Sequence, residues 1–284
     1  MVAKGRKPGW LKIRLPQGEQ AVEVGRIIRQ QRLHTICSSG LCPNQGECWG
    51  CGTATFMICG EICTRSCRFC HVKTGRPEPP DPEEPGNIAR SVQLLKLKHA
   101  VITSVDRDDL PDLGAAHWVK VIKAVKAMNP GVTMEVLIPD FQEKTEWIDM
   151  IIEASPEVVS HNLETVRRLS KHVRSRATYD GSLNVIRRIA SSGKVVAKSG
   201  IMLGLGETRS EILETMDDLL RAGCRVMTVG QYLQPSGNNI PVTEYIQPEI
   251  FSEYRQIGQG KGFACVESAP LVRSSYHAEK HVHC

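Results

Sequence analysis

Apolar residues fall in two rhythms along this chain. Short unbroken aliphatic runs alternate with segments whose apolar positions recur every three or four residues. The runs at 53–58, 98–105, 132–139, 156–163, 195–203, 225–233 and 263–267 read as strands. Between and after them, 115–128, 144–154, 165–172, 182–192, 210–222 and 249–260 read as helices, and Val22, Ile27, Ile28 and Leu33 predict another over 18–33. Strands with no polar alternation are those of a parallel sheet buried on both faces. Strand–helix alternation at this spacing builds right-handed βαβ units. A doubly wound sheet and a barrel both satisfy the pattern, but about six βα units are too few to close an eight-unit barrel. The expected fold is therefore α/β, an open partial (βα)6 barrel of the TIM type with its site at the strand C-termini. Residues 75–86 (GRPEPPDPEEPG) hold five prolines and are expected to form a loop or extended connector.

The composition narrows the classes. The chain has 284 residues, 41% hydrophobic and 24% charged, ordinary globular usage with room for a core that needs no disulfide staples. A net charge of +5 is too mild to indicate nucleic acid, and an aromatic content of 5% leaves little for stacking bases. The N-terminus (MVAKGRKPGW) shows no apolar leader, and no stretch approaches the ~18 apolar residues that span a bilayer. A cytoplasmic, reducing location without membrane attachment is the expectation.

The cysteines change the picture most. There are 11, an odd number, and eight lie between Cys37 and Cys70. In a reducing compartment such a group points to metal or redox chemistry before disulfides. One set is Cys63-x3-Cys67-x2-Cys70, on a loop just after the first strand. Three thiolates at this spacing can hold three corners of a four-iron cluster and leave one iron open for substrate or cofactor. A closed zinc knuckle is the alternative, though His71 adjoins Cys70 too directly to chelate easily. The other set is Cys37-x4-Cys42-x5-Cys48, again three without a fourth, and suggests a second cluster. Cys51, Cys224 and Cys265 read as packing residues, and Cys59 fits neither spacing. The run 106–112 (DRDDLPD) reads as a solvated loop, and the tail HAEKHVHC as an end without fixed structure.

C-x3-C-x2-C with Phe69 before its last cysteine resembles the signature of radical S-adenosylmethionine enzymes. That resemblance implies a partial barrel and a reduced cluster that splits S-adenosylmethionine to a 5′-deoxyadenosyl radical. The stretches CPNQGECW (42–49), GTATFMI (52–58), CTRSCRFC (63–70), TSVDRDDL (103–110), HNLETV (161–166), MLGLGET (202–208) and RSSYHA (273–278) resemble the lipoyl synthase family over nearly the whole chain.

The resemblance implies a sulfurtransferase with two four-iron clusters and S-adenosylmethionine. It would insert sulfur at C6 and C8 of an octanoyl chain amide-linked to lysine on a carrier domain, with the auxiliary cluster as sacrificial sulfur donor. Cys63, Cys67 and Cys70 would hold the catalytic cluster. Cys37, Cys42 and Cys48 would hold the auxiliary one, with a serine of the RSSY motif as fourth ligand: Ser275, or Ser274 in its place. Arg273 and Tyr276 would support that site. For S-adenosylmethionine the resemblance implies Phe69, Thr103, Ser104, Asn162, Glu164, Arg174 and Gln231, with close backbone approach at Gly204-Leu-Gly206. Implied partners are octanoylated carriers (the glycine cleavage H protein and the acyltransferase subunits of 2-oxoacid dehydrogenases), a ferredoxin or flavodoxin, and an iron–sulfur carrier for rebuilding the cluster. The basic arm Lys4, Arg6, Lys7, Lys12 and Arg14 reads most simply as a solvated face, with docking of an acidic carrier domain as the hypothesis beside it. The expected division is an N-terminal extension at 1–52, a barrel at 53–267 and a tail at 268–284, the extensions covering the open end. Other readings are a biotin-synthase-like or methylthio-transferring enzyme, and a zinc- or cluster-bearing interaction module without catalysis.

Overall fold

Local sequence accounts for most of the elements in the computed structural model, which describes residues 7–12, 19–50 and 54–284. Lys4, Arg6, Arg14 and Cys51 lie outside the described residues. Helix α1 (Glu19–Gln30) buries Val24, Ile27 and Ile28, whereas Val22, counted with that face, is 68% exposed. The cysteine-rich segment then folds as strand β1 (His34–Thr35), helix α2 (Ile36–Ser39) and helix α3 (Gln45–Gly50), elements that the hydrophobic pattern did not announce. Strand β2 (Thr55–Ile58) follows, and then the paired β3 (Ile62–Cys63) and β4 (Lys73–Thr74).

Helix α4 (Glu84–Leu94) corrects the expected connector, which ends where the helix begins. Pro85 sits in the first turn, where its missing N–H has no partner to lose, while Ile88, Ala89 and Val92 face inward. From there the alternation runs as the pattern predicted: β5 (His99–Ser104), α5 (Ala115–Met128), β6 (Thr133–Leu137), α6 (Thr145–Glu153), β7 (Val158–Ser160), α7 (Arg167–Val173), α8 (Tyr179–Ser191), β8 (Val196–Leu203), α9 (Arg209–Arg221), β9 (Val226–Gln231), α10 (Pro248–Lys261) and β10 (Cys265–Ser268). Thr178 caps α8, and a reciprocal Thr208–Glu211 capping box starts α9.

Eight strands form one sheet in the order β1-β2-β5-β6-β7-β8-β9-β10, parallel throughout except for β1, which runs antiparallel to β2 at one edge. Helices α4, α5, α6, α8 and α9 each pack on the next, so they form a single outer row rather than covering both faces. Ile102, Val136, Val159 and Val229 join Trp118, Ile122, Ile186 and Met216 in the core. On the other face, alternate residues such as Val101 and Thr103, Glu135 and Leu137, and Gly200 and Met202 line a cavity of about 1360 Å³. No helix among the described residues is long and apolar enough to cross a membrane.

The chain's end departs from expectation. Residues Ala278–His283 form helical turns, and His281 is wholly buried. Cys265, read as a packing residue, is joined to Cys284 in a disulfide with Cα atoms 6.0 Å apart. A terminus tied down covalently and by a buried side chain loses the freedom that chain ends ordinarily keep. Cys224 is a packing residue as expected, with its thiol against the carbonyls of Val226 and Ala197.

Candidate functional site

The Cys63–Cys70 loop leaves the C-terminal end of β2 through positive φ at Cys59 (68°) and Gly60 (93°). Cys59 is buried, and its N–H donates to Glu84. The pairing of β3 with β4 closes the loop's base. Between the cysteines, Arg65 is only 8% exposed. Its guanidinium donates to Asp108 at 2.7 and 2.8 Å and to Asp140 at 2.8 Å, with Asp106 at 3.2 Å. The run 106–112 is therefore not a solvated loop. It follows β5, the strand beside β2, and so folds directly onto the cysteine loop. Asp109 pairs with Arg107, and Asp112 accepts from Gly114 and Ala116 at the start of α5. Phe69 packs beside Val173, Tyr232, Ile240 and Val242, and Asn239 donates to the Cys70 carbonyl at 2.8 Å.

Electrostatics in this loop follow from burial. Desolvation, with the Asp106 charge adding to it, pushes the Cys63 thiol up to about 11. Burial raises Cys70 to about 12, and the neighbouring Cys67 and Cys63 push the same way. Burial lifts Asp106 to about 6 despite Arg65, whereas hydrogen bonds from Arg65 and Gln142 overcome burial and hold Asp108 near 2. Two backbone N–H groups, of Arg65 and Asp106, point at the Cys63 sulfur at 3.4 Å. A metal bound here would have to displace the protons of these thiols, and the N–H groups are placed to stabilise the sulfur if it is charged.

The second cysteine set is assembled by both ends of the chain. Cys37 lies in α2, whose cap is Thr35, Cys48 lies in α3, and Cys42 lies in the turn between them. Asn44 donates to the Leu271 carbonyl at 2.7 Å, and the Tyr276 hydroxyl reaches Glu47 at 3.4 Å. The RSSY segment thereby lies against these cysteines. Arg273 donates to the Val272 carbonyl and has no carboxylate partner among the described residues. Burial lowers its pKa, and the neighbouring Cys42 works against that. A cation placed so needs an anion beside it, which a thiolate-bound cluster would supply. The Ser274 hydroxyl accepts from Asn162 at 2.7 Å, while that of Ser275 makes no hydrogen bond to the described residues. Both cysteine sets and Ser275 face the same cavity.

The other sequence-derived candidates also line this cavity. Thr103 donates to the Leu137 carbonyl, but the buried Ser104 hydroxyl and Asn162 Oδ1 have no partner. Such orphaned atoms facing a cavity fit a polar cofactor. Glu164 lies close to Arg174, and burial raises its carboxyl. Arg174 donates to Ser182 at 2.6 Å, Ser182 bonds His161 Nε2 at 2.9 Å, and His161 Nδ1 bonds the Ile138 carbonyl at 3.0 Å. Gln231 is committed to backbone: its amide donates to Leu203, Tyr232 and Glu244 and accepts from Ile246. At Gly204 (φ 99°) a Cβ would lie 2.2 Å from that amide, so the close approach made there is to the chain itself. Among the described residues no three His, Cys, Asp or Glu side chains converge tightly enough for a single ion. Sequence reading missed Arg65, Asp140, Glu135 and Lys198. Arg65 lies inside the CTRSCRFC stretch but has no role in the thiol spacing, the other three lie in none of the stretches that resemble the family, and their partners lie far away along the chain.

Comparison with known proteins bears on the family and on the fold. The family model described as the radical SAM superfamily matches residues 57–219. A lipoyl synthase of Treponema denticola is 69% identical, covering 99% of this chain and 97% of that protein. One from Parabacteroides distasonis is 65% identical over 98% of each. Among solved structures, the hydrogenase maturase HydG of Carboxydothermus hydrogenoformans shares 13% identity and a TM-score of 0.60, covering 92% of this chain and 78% of that one. SuiB of Streptococcus suis bound to S-adenosylmethionine gives 12% and 0.61, covering 76% and 50%. At such identities the structures speak for the fold alone. Sequence and architecture together place this chain in the lipoyl synthase family of the radical SAM superfamily.

Proposed function

We propose that this chain inserts two sulfur atoms into a carrier-bound octanoyl chain, with Cys63, Cys67 and Cys70 holding one four-iron cluster and Cys37, Cys42, Cys48 and Ser275 a second. When bound, the first cluster with S-adenosylmethionine supplies an oxidant able to take hydrogen from an alkyl chain, and the second supplies sulfur. Acid–base groups cannot deprotonate an alkane near ambient pKa, so the side chains bind and orient rather than move protons.

The carrying observation is that both cysteine sets and the unpartnered Ser275 hydroxyl open on one cavity. Ser275 is preferred over Ser274 because the Ser274 hydroxyl is already engaged by Asn162. A hydroxyl oxygen is a harder, poorer iron ligand than a thiolate, which suits a corner that must release. Arg174, steadied by Ser182, would pair with the methionyl carboxylate, and Asn162, Glu164, Thr103 and Ser104 would take its polar groups. Phe69 packs the cluster loop, and Gln231 acts through the backbone it holds. Val101, Leu137 and Met202 offer apolar wall to the octanoyl chain and exclude water.

We read the sheet as a partial (βα)6 barrel within 53–267, its open end covered by the described parts of 1–52 and by 268–284. The contact of Asn44 with Leu271 supports that cover. Lys7 and Lys12 are exposed and share the cavity lining with Lys96 and Lys98, which suits docking of an acidic carrier. Reversing these charges is expected to raise KM for the carrier at low salt, and an unchanged KM would dismiss the docking role. Ferredoxin- or flavodoxin-type reductants and an iron–sulfur carrier complete the proposed partners.

The test is anaerobic reconstitution followed by mass spectrometry of an octanoyl-lysine peptide with S-adenosylmethionine and reductant. About eight irons per chain and a product carrying two sulfurs are expected. Zinc alone, or no added sulfur, overturns the reading.

A further inference from the structure

Lys198 is a lysine without access to solvent, placed where the chain's last segment meets the sheet. It lies in β8, and both it and Glu135 of β6 are 0% exposed. Its ammonium bonds both Glu135 oxygens at 2.7 Å, the Ser274 carbonyl at 2.6 Å and His281 Nδ1 at 3.0 Å. One side chain therefore ties two strands of the sheet to the C-terminal segment at two points, residues 274 and 281. The segment is threaded there by close passage: a Cβ on Gly230 would stand 2.1 Å from the Val272 carbonyl oxygen.

The bond to the Ser274 carbonyl has a geometric consequence for the next residue. The carbonyl of residue 274 and the N–H and Cα of residue 275 share one peptide plane. Fixing the carbonyl direction fixes that plane, and Asn162 fixes the Ser274 side chain from the other side. Ser275 is left with its backbone held and its hydroxyl uncommitted, facing the cavity that the Cys37, Cys42 and Cys48 thiols also face. We propose that Lys198, braced by Glu135, is a positioning residue that aims the Ser275 hydroxyl at the second cysteine set. The proposal rests on the reading of Ser275 as that set's fourth ligand.

The experiment uses the full-length chain with Cys63→Ala, Cys67→Ala and Cys70→Ala, so that only the second cluster is present. Lys198→Met alone strands a buried carboxylate and can unfold the protein. The paired variant Lys198→Met with Glu135→Leu removes both charges together, a replacement that cores commonly tolerate. In that variant the protein is expected to stay folded, with a lowered melting temperature because the Ser274 carbonyl and His281 lose a partner, and amides 272–276 exchange faster. Cluster loss to a chelator is expected to quicken about tenfold. The EPR spectrum of the reduced cluster should move to that of Ser275→Ala. If Ser275→Ala speeds cluster loss but the paired variant stays within about twofold of the parent, Lys198 is only structural and the proposal fails. Unchanged exchange at 272–276 overturns it equally. If Ser275→Ala itself leaves cluster lifetime and spectrum unchanged, the ligand reading fails, and the proposal with it.

Discussion

The two cysteine segments solve one problem in opposite ways. The Cys63–Cys70 loop is held from within the sheet: Arg65 sits between its cysteines and binds Asp106, Asp108 and Asp140, on loops that follow adjacent parallel strands. The Cys37–Cys48 segment has no such cage. Two short helices carry it, packed on α1 and β2, and its side-chain hydrogen bonds to the far end of the chain are Asn44 to Leu271 and Tyr276 to Glu47. One site is built on the scaffold and the other is clasped between the termini. A cofactor that must persist suits the first arrangement. A cofactor that must come and go would suit the second, whose hold depends partly on the C-terminal segment.

Removing the cage should break the contrast most severely. Arg65→Met takes the shared guanidinium from the buried Asp140 and from the partly buried Asp106 and Asp108, of which Asp108 keeps Arg176 at 3.4 Å, and is expected to cost ~3–5 kcal/mol of stability. Chemical denaturation measures it, and a loss below ~1 kcal/mol would mean the carboxylates find other partners.

Acid should probe the same region. Burial, reinforced by Arg174, holds the His161 imidazole down at about 4 against 6.5 when free. Below 6.5 the unfolded chain takes up the proton first, so stability is complete above that pH and falls as pH drops towards 4. The loss reaches up to ~3 kcal/mol, and His161→Gln should flatten this part of the pH–stability curve.

On the clasped side, Gly230→Ala places a methyl against the Val272 carbonyl. A cost of ~1–3 kcal/mol is expected, with faster amide exchange at 270–276 and unchanged exchange in the Cys63–Cys70 loop. Asn44→Ala sharpens the comparison with the smallest effect, ~1 kcal/mol for one hydrogen bond. Its signature is iron lost from the second site only, and equal loss from both would show that the two segments are not independently held.

Much of the candidate site was legible because its chemistry is written locally. Cys63, Cys67 and Cys70 fall within one loop, and a thiol spacing survives reading in one dimension. The strands from β5 to β10 were legible for the same reason, since burial on both faces removes polar alternation. Helix α4 was hidden by proline, whose usual meaning as a breaker reverses in a first turn. The buried tail was hidden because nothing in HAEKHVHC reveals that His281 meets Lys198 or that Cys284 meets Cys265.

Taken alone, the order of residues determined the strand–helix alternation, the two thiol sets and the kinship of the chain, since each depends on neighbours in sequence. Tertiary structure decided which charges meet: Arg65 with Asp140 across 75 residues, and Lys198 with Ser274 across 76. It also separated Ser275 from Ser274, by engaging one hydroxyl and leaving the other without a partner among the described residues. The physical reason is that periodicity encodes which face a side chain takes, whereas strand order and register decide what stands opposite that face.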